Sequence, residues 1–198
     1  MYLSPDRFSV FLNVPFDRSY ERLFVSLIAV VVAVGRAPRS VVEVSETGKG
    51  RLTRLVQLMS KCAVSIHDLS RVGQPARFNM PFELGLCCAL QHFKGRYMYI
   101  LLEAKQHRLD KTLGDVKGRD PLIHERKSRV LIRKLLSDLR SSGSPTDYEA
   151  VVTLDRALLR AARKLKAAHA GASLFDGYLF KQLVAAATEL AQKQGLLN

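Results

Sequence analysis

Residues 8–14, FSVFLNV, are the stretch from which the fold can be worked out. The segment is short, rich in β-branched and aromatic residues, and bounded by prolines, which is typical of a buried strand. A run of helical length follows at residues 19–34, with Ser19 as a candidate N-cap and Gly35 as a candidate C-terminal stop. We therefore expect this stretch to begin a strand–helix alternation.

The same alternation continues through the first two-thirds of the chain. Further strands are predicted at residues 40–44, 63–69, 96–102 and 121–124, and further helices at residues 51–61 and 80–92. Strands separated by helices predict an α/β fold with a parallel sheet and helices on both faces.

The pattern changes to helices alone near residue 127. Helices are predicted at residues 128–139, 147–168 and 176–194, the second with Asp147 as a possible N-cap. We expect an α/β domain over residues 1–126 and a helical C-terminal extension over residues 127–198. The extension either forms a helical subdomain or consists of helices that cover the sheet and make a dimer.

Composition limits the classes of function. The net charge of +13 favours an anionic partner such as a nucleotide or nucleic acid. The longest apolar run, residues 23–34, is too short to span a membrane, and no signal-peptide pattern is present, so we expect a cytoplasmic protein. Three cysteines, an odd number with two adjacent, do not predict a disulfide framework, and no His or Cys spacing predicts a metal site.

Ligands of an open parallel sheet bind at the carboxyl ends of its strands. The loops that matter are therefore residues 13–17, 45–50 and 67–79 and the segment after Leu102. The first strand is not followed by GxGxxG, and the chain contains no GxxxxGK[ST] and no GxSxG. Dinucleotide redox chemistry, a P-loop and a serine hydrolase are accordingly disfavoured.

Glu83 stands out because it lies in the apolar segment RFNMPFELGL, residues 77–86. One interpretation is a helix-start device: with Met80 as N-cap, Glu83 would complete a capping box. Asn79 is the better N-cap, however, and would place Glu83 one position beyond the box. The other interpretation is a catalytic carboxylate, which on a helix shares a face with Cys87 and should have a raised pKa.

Other polar residues in these loops also have two interpretations. Asp68 ends a predicted strand and would either accept hydrogen bonds from a ligand or form a turn. Asn13 and Asp17 lie in the first loop, where Asp17 would bind a ligand or cap the next helix. Arg71 and Arg77 would contact a phosphate or remain solvated.

The segments FLNVPFDRSY, IHDLSR and FNMPFELGL, in this order, resemble the TIR-like and nucleoside 2-deoxyribosyltransferase-like group of flavodoxin-like domains. The resemblance covers roughly residues 8–103, and the loop that contains VGQPAR is longer than in the usual form. The matching residues are Pro15, Phe16, Asp17, Tyr20, Asp68, Leu69, Ser70, Arg71, Phe78, Asn79, Phe82, Glu83, Leu84 and Gly85.

The resemblance implies chemistry at a ribosyl C1′, with Glu83 attacking or electrostatically supporting the sugar carbon as its bond to a base breaks. It implies a nucleotide or NAD-like substrate, no cofactor, and a role in bacterial defence alongside other components. The substrate-binding residues would be Asn13, Phe16, Asp17, Asp68, Ser70, Arg71, Arg77 and Asn79. The competing class is a non-catalytic module that binds a nucleotide signal or nucleic acid and acts through oligomerisation.

Two surface features predict partners. Arg156, Arg160, Arg163 and Lys164 follow helical spacing, and they would bind nucleic-acid phosphates or form a solvated face. The helix at residues 80–92 is apolar on nearly every side, so it needs cover from the C-terminal helices or from a second subunit. We expect a homodimer.

Overall fold

The structure, a computed structural model, describes residues 6–44, 50–71, 78–95, 97–109, 113, 120–139 and 146–197. Its strands are β1 (Asp6–Asn13), β2 (Ala37–Ser40), β3 (Cys62–Asp68), β4 (Met98–Glu103) and β5 (Leu122–Ile123). All of them run parallel, in the order β2-β1-β3-β4-β5. This is the flavodoxin-like order, and the predicted fold class is confirmed.

Six α-helices lie within the described residues. They are α1 (Glu21–Ala33), α2 (Arg51–Lys61), α3 (Asn79–Lys94), α4 (Ser128–Leu139), α5 (Tyr148–Ala168) and α6 (Gly177–Lys193). Helices α2 and α3 pack on one face of the sheet, and α1 packs on the other together with α4, α5 and α6. None of these helices combines the length and the hydrophobicity that crossing a bilayer requires.

Helix α1 is the most buried element of the fold. Every residue from 23 to 33 is buried, so the helix has no solvent-facing stripe. A helix that is apolar on all sides must lie in an interior. The sheet covers one side of α1, and α4, α5 and α6 cover the rest, so one hydrophobic core includes residues of the sheet and of the C-terminal helices.

A buried ion pair fixes α5 on α1. Asp155 is 2% exposed and binds the Arg22 guanidinium through both of its oxygens, with Arg22 Nη1 donating to Oδ1 at 2.7 Å. The Ser26 hydroxyl, within the apolar surface of α1, donates to the same oxygen at 2.9 Å. A second pair joins Lys166 Nζ to Glu21 Oε2 at 2.6 Å. These contacts set the register of the C-terminal layer on α1.

The prediction of a strand at residues 40–44 is wrong in its position, because the strand ends at Ser40. The extended segment is β2, and a 3₁₀ turn at Val41–Glu43 follows it. The reason is a capping box, in which the Ser40 backbone N–H donates to Glu43 Oε1 at 2.8 Å. This local bonding wins over the strand preference of the valines.

Two predicted helix starts also differ, whereas one is confirmed. Ser19 lies inside a 3₁₀ turn, Arg18–Tyr20, that precedes α1. Asn79 is the first residue of α3, not its N-cap. Asp147 is the N-cap of α5, because its carboxylate accepts from the backbone N–H groups of Glu149 and Ala150.

The C-terminal helices pack against α1, on the opposite side of the sheet from α3. Phe82 and Phe93 of α3 are 52% and 83% exposed in a single chain. The C-terminal helices therefore leave these rings in solvent, and the homodimer stays a prediction.

The Asp155 ion pair gives a stability prediction. Asp155→Ala should lower the free energy of unfolding by about 2–3 kcal/mol, because Arg22 and Ser26 lose their common acceptor in the core. Arg22 is partly solvated, which keeps the loss below the roughly 3–5 kcal/mol typical of breaking a fully buried ion pair. Urea denaturation measures it.

Lys127→Ala is the control, because it breaks an ion pair with Glu125 in which both side chains are more than half exposed. It should leave the free energy of unfolding nearly unchanged. Equal losses in the two variants would show that Asp155 does not anchor α5.

Candidate functional site

Two cavities lie at the carboxyl edge of the sheet, on either side of the loop after β1. The larger, about 690 Å³, is the Glu83 cavity; it is lined by Phe16, Val41, Val42, Val44, Arg51, Asn79, Glu83, Phe175, Asp176 and Gly177. The smaller, about 400 Å³, is the basic cavity; it is lined by Pro15, Asp17, Ser19, Tyr20, Arg22, Leu23, Ser70, Arg71, Lys105, Arg108, His124 and Arg126. Both occupy the region where flavodoxin-like sheets bind ligands.

Glu83 lies in the wall of its cavity and is almost completely buried. The residue is 4% exposed, and within the described part of the chain its Oε2 atom has no hydrogen-bond partner. Burial raises the pKa of Glu83 to about 7, although a hydrogen bond from Asn79 and the nearby charge of Arg51 both act to lower it. The carboxyl group is therefore close to half ionised at neutral pH; the expected rise of its pKa is present, and its catalytic role stays a prediction.

The helix-start interpretation of Glu83 is wrong. Phe78 is the N-cap of α3, and the first turn of this helix contains no acidic residue. Pro81 falls within that turn, where its missing N–H removes no helical hydrogen bond. Glu83 lies beyond the turn, so neither capping nor the helix dipole explains its position.

The C-terminal layer closes one side of the Glu83 cavity. Phe175, just before α6, packs its ring 5.3 Å from the Phe16 ring, measured between centroids. Gly177 approaches the backbone so closely that a Cβ there would lie 2.5 Å from the Val42 carbonyl oxygen. Glycine is required at this position because any side chain would push α6 away from the turn that follows β2.

Buried neutral groups support the cavity from beneath. Asn13, 2% exposed, donates through Nδ2 to the Met80 carbonyl at 3.0 Å and lies 2.9 Å from His67 Nδ1. Burial lowers the pKa of His67 to about 3, so its imidazole is neutral. Burial also raises the pKa of Cys87, one turn after Glu83, to about 11, so its thiol is not a nucleophile at neutral pH.

Asp68 anchors the other cavity. The residue is fully buried at the end of β3, and it accepts hydrogen bonds from the Tyr20 hydroxyl, the Ser70 backbone N–H at 2.9 Å and His124 Nε2 at 3.0 Å. Burial alone would raise the pKa of Asp68, but the hydrogen bond and electrostatic attraction of His124, together with the hydrogen bonds from Ser70 and Tyr20, outweigh it and hold the pKa below its usual value. Asp68 is an ionised structural group beneath the basic cavity.

His124 completes this network in one defined tautomer. The Arg126 backbone N–H donates to His124 Nδ1 at 3.0 Å, so the ring proton is on Nε2. The same Nε2 faces both Asp68 and the Ser70 hydroxyl, which lies 3.0 Å away. A catalytic triad needs the acid and the serine on different ring nitrogens, so Ser70, His124 and Asp68 do not form one.

The sheet separates the two carboxylates that were expected in one site. Asp68 binds Tyr20, next to α1, whereas Glu83 belongs to α3 on the opposite face. Of the predicted substrate-binding residues, Phe16 and Asn79 line the Glu83 cavity, and Asp17, Ser70 and Arg71 line the basic cavity. Asn13 and Asp68 are buried beneath them, and Arg77 lies outside the described residues.

Sequence reasoning missed several lining residues. His124 ends the last predicted strand, so the rule for carboxyl ends could have found it. Lys105 and Arg108 lie in the segment after β4, which was singled out without naming residues. Phe175 and Gly177 carry no signal in the sequence, because only the packing of α6 brings them to the site.

Two further expectations concern metals and nucleic acid. Among the described residues, no three His, Cys, Asp or Glu side chains are grouped in a way that could hold a metal ion. Arg156, Arg160, Arg163 and Lys164 are all exposed on α5. Their exposure meets the minimum requirement for binding nucleic acid, which stays a prediction.

Comparison of the chain with protein-family models, with curated proteins and with solved structures found no match. The fold and the two cavities define a flavodoxin-like α/β protein with a C-terminal helical layer. The resemblance to TIR-like and deoxyribosyltransferase-like domains rests on short sequence motifs alone, and membership of that family stays a prediction.

The raised pKa of Glu83 predicts a pH-dependent stability. The folded state favours the protonated form of Glu83, so ionisation of this group lowers the free energy of unfolding. The loss is absent below the ordinary pKa of 4.5 and grows until the pH passes about 7. Glu83→Gln should therefore match wild-type stability at low pH and exceed it above pH 7, by roughly 3 kcal/mol at most. Urea denaturation across this pH range measures the difference, and a variant that is less stable at every pH would contradict the account.

Proposed function

We propose that the protein breaks the N-glycosidic bond of a nucleotide or NAD-like molecule in the Glu83 cavity. The proposal rests on Glu83, an almost buried carboxyl group at the wall of a cavity large enough for a ligand; one of its oxygens has no hydrogen-bond partner among the described residues. Burying an unpaired ionisable group costs stability, and such costs are found where a function requires them.

The chemistry follows from the charge that develops at the sugar. When the bond between C1′ and the base nitrogen breaks, the electron pair leaves with the base and C1′ becomes positively charged. An ionised Glu83 would stabilise that charge or form a bond to C1′, after which water or another acceptor adds to the sugar. A carboxylate in a poorly solvated wall does this better than one in water, because it needs little solvent reorganisation.

The rest of the cavity suits such a substrate. Its volume of about 690 Å³ lies in the range of small-molecule sites. Phe16 and Phe175 offer an aromatic wall against which a base can pack. Asn79 binds the Glu83 carboxyl and so fixes its direction, and Arg51 adds a positive charge that favours its ionised form.

The test is release of a free base from a panel of NAD, nucleosides and nucleotides, measured by chromatography. Wild-type protein should release base from at least one of them, at a rate that rises as the pH passes through about 7 and levels off above it, once Glu83 is fully ionised. Glu83→Gln, which keeps the shape and removes the charge, should slow release by at least about a hundredfold.

Glu189→Gln is the matched control, because it makes the same change at an exposed position of α6. It should release base at the wild-type rate. A folded Glu83→Gln protein with undiminished turnover would refute the catalytic role. Binding of a nucleotide without any release of base by wild-type protein would favour the non-catalytic module.

A further inference from the structure

The basic cavity has an unusual charge balance at a ligand-binding edge. Its lining includes five cationic side chains and one carboxylate, Asp17; the cations are Arg22, Arg71, Lys105, Arg108 and Arg126. This cavity plays no part in the chemistry proposed for Glu83, which belongs to the opposite face of the sheet.

Three of these cations are held in place by carboxylates. Arg22 is bound by Asp155, and Arg71 by Asp17. Arg108 is bound by the fully buried Glu103, and it also donates to the Leu69 carbonyl at 2.9 Å. A guanidinium fixed in this way keeps its remaining N–H groups in a defined direction, which lowers the entropy cost of binding an anion.

The other two cations, Lys105 and Arg126, differ from these three. Within the described part of the chain, neither the Lys105 ammonium nor the Arg126 guanidinium is paired with a carboxylate. Arg126 is placed by a turn in which Glu125 and Arg126 both have positive φ, 52° and 57°. That turn directs the Arg126 N–H onto His124 and brings its side chain to the cavity.

The negative charge beneath the cavity does not cancel these two. Asp68 is fully buried, and its oxygens accept from Tyr20, Ser70 and His124. These donors separate the Asp68 carboxylate from the cavity, and its single negative charge is smaller than the charge of the two cations. The lining thus presents unpaired positive charge together with the polar side chains of Ser19 and Ser70.

We propose that the basic cavity is a second ligand site, which binds the phosphate groups of a phosphorylated small molecule through Lys105, Arg126 and the fixed arginines. Phosphate oxygens match this set of donors, because Arg and Lys bind them by charge-assisted hydrogen bonds. The volume of about 400 Å³ suits a small ligand rather than a nucleic-acid strand.

The experiment is isothermal titration calorimetry of the full chain with inorganic pyrophosphate. Wild-type protein should bind one pyrophosphate per chain. Lys105→Ala combined with Arg126→Ala should weaken binding by at least about tenfold, because the two unpaired cations are removed. Adenosine diphosphate, as a second probe, distinguishes the sources of the phosphate: tighter binding than pyrophosphate indicates a nucleotide, and weaker binding indicates free phosphate.

Arg156→Ala combined with Lys164→Ala is the matched control, since it removes the same charge from the exposed face of α5. Its affinity for pyrophosphate should stay within about twofold of wild type, a change small enough for a remote surface charge. Equal losses in the two double variants would mean attraction to net charge, and absence of binding at millimolar concentration would also overturn the proposal.

Glu83→Gln separates this site from the proposed glycosidase chemistry. Its pyrophosphate affinity should equal that of wild type whether or not wild-type protein releases a base. A change of affinity in this variant, above all the gain expected when a carboxylate next to an anion is neutralised, would show that pyrophosphate occupies the Glu83 cavity and would refute a second site.

Discussion

The burial of α1 is the constraint on which the rest of the structure depends. A helix with eleven consecutive buried residues cannot lie on the surface of a two-layer domain. The sheet covers one side only, so the chain must supply a further layer, and α4, α5 and α6 provide it. The Arg22–Asp155 pair and Ser26 fix how this layer sits. The candidate site then follows, because seating α6 on α1 carries Phe175 and Gly177 to the Glu83 cavity.

Two carboxylates at the same edge of the sheet, Asp68 and Glu83, differ in their hydrogen bonding and in the direction of their pKa shifts. Asp68 is buried with three donors, and its pKa is lowered in spite of that burial. Glu83 is buried with one oxygen that no described residue pairs, and its pKa is raised. A carboxylate with a full set of donors is a structural anchor, whereas one with a free oxygen at a cavity is available for chemistry. Two residues that look alike in the sequence therefore have opposite environments, and only that of Glu83 fits the proposed chemistry.

Much of the fold could be predicted from the sequence, because its signals are local. Strands such as residues 8–14 and helices such as residues 128–139 follow from hydrophobic period, and Asp147 is recognisable as an N-cap. The strand predicted at residues 40–44 was wrong because Glu43 forms a capping box with Ser40, and these hydrogen bonds compete with strand pairing. The burial of Glu83 was expected from its helical neighbours. The roles of Phe175 and Gly177 could not be predicted, because they depend on how α6 packs against elements distant in the chain.

The pKa of Glu83 is the measurement that tests the account most directly. The carboxyl carbon resonances of glutamate-labelled protein can be followed by NMR from about pH 4 to about pH 9, with Glu83→Gln to assign the signal. The account predicts one glutamate that titrates near pH 7 and is missing from the variant. If the resonance lost in the variant titrates at the ordinary value near 4.5, Glu83 is solvated, and both its burial in the cavity wall and the chemistry proposed for it are contradicted.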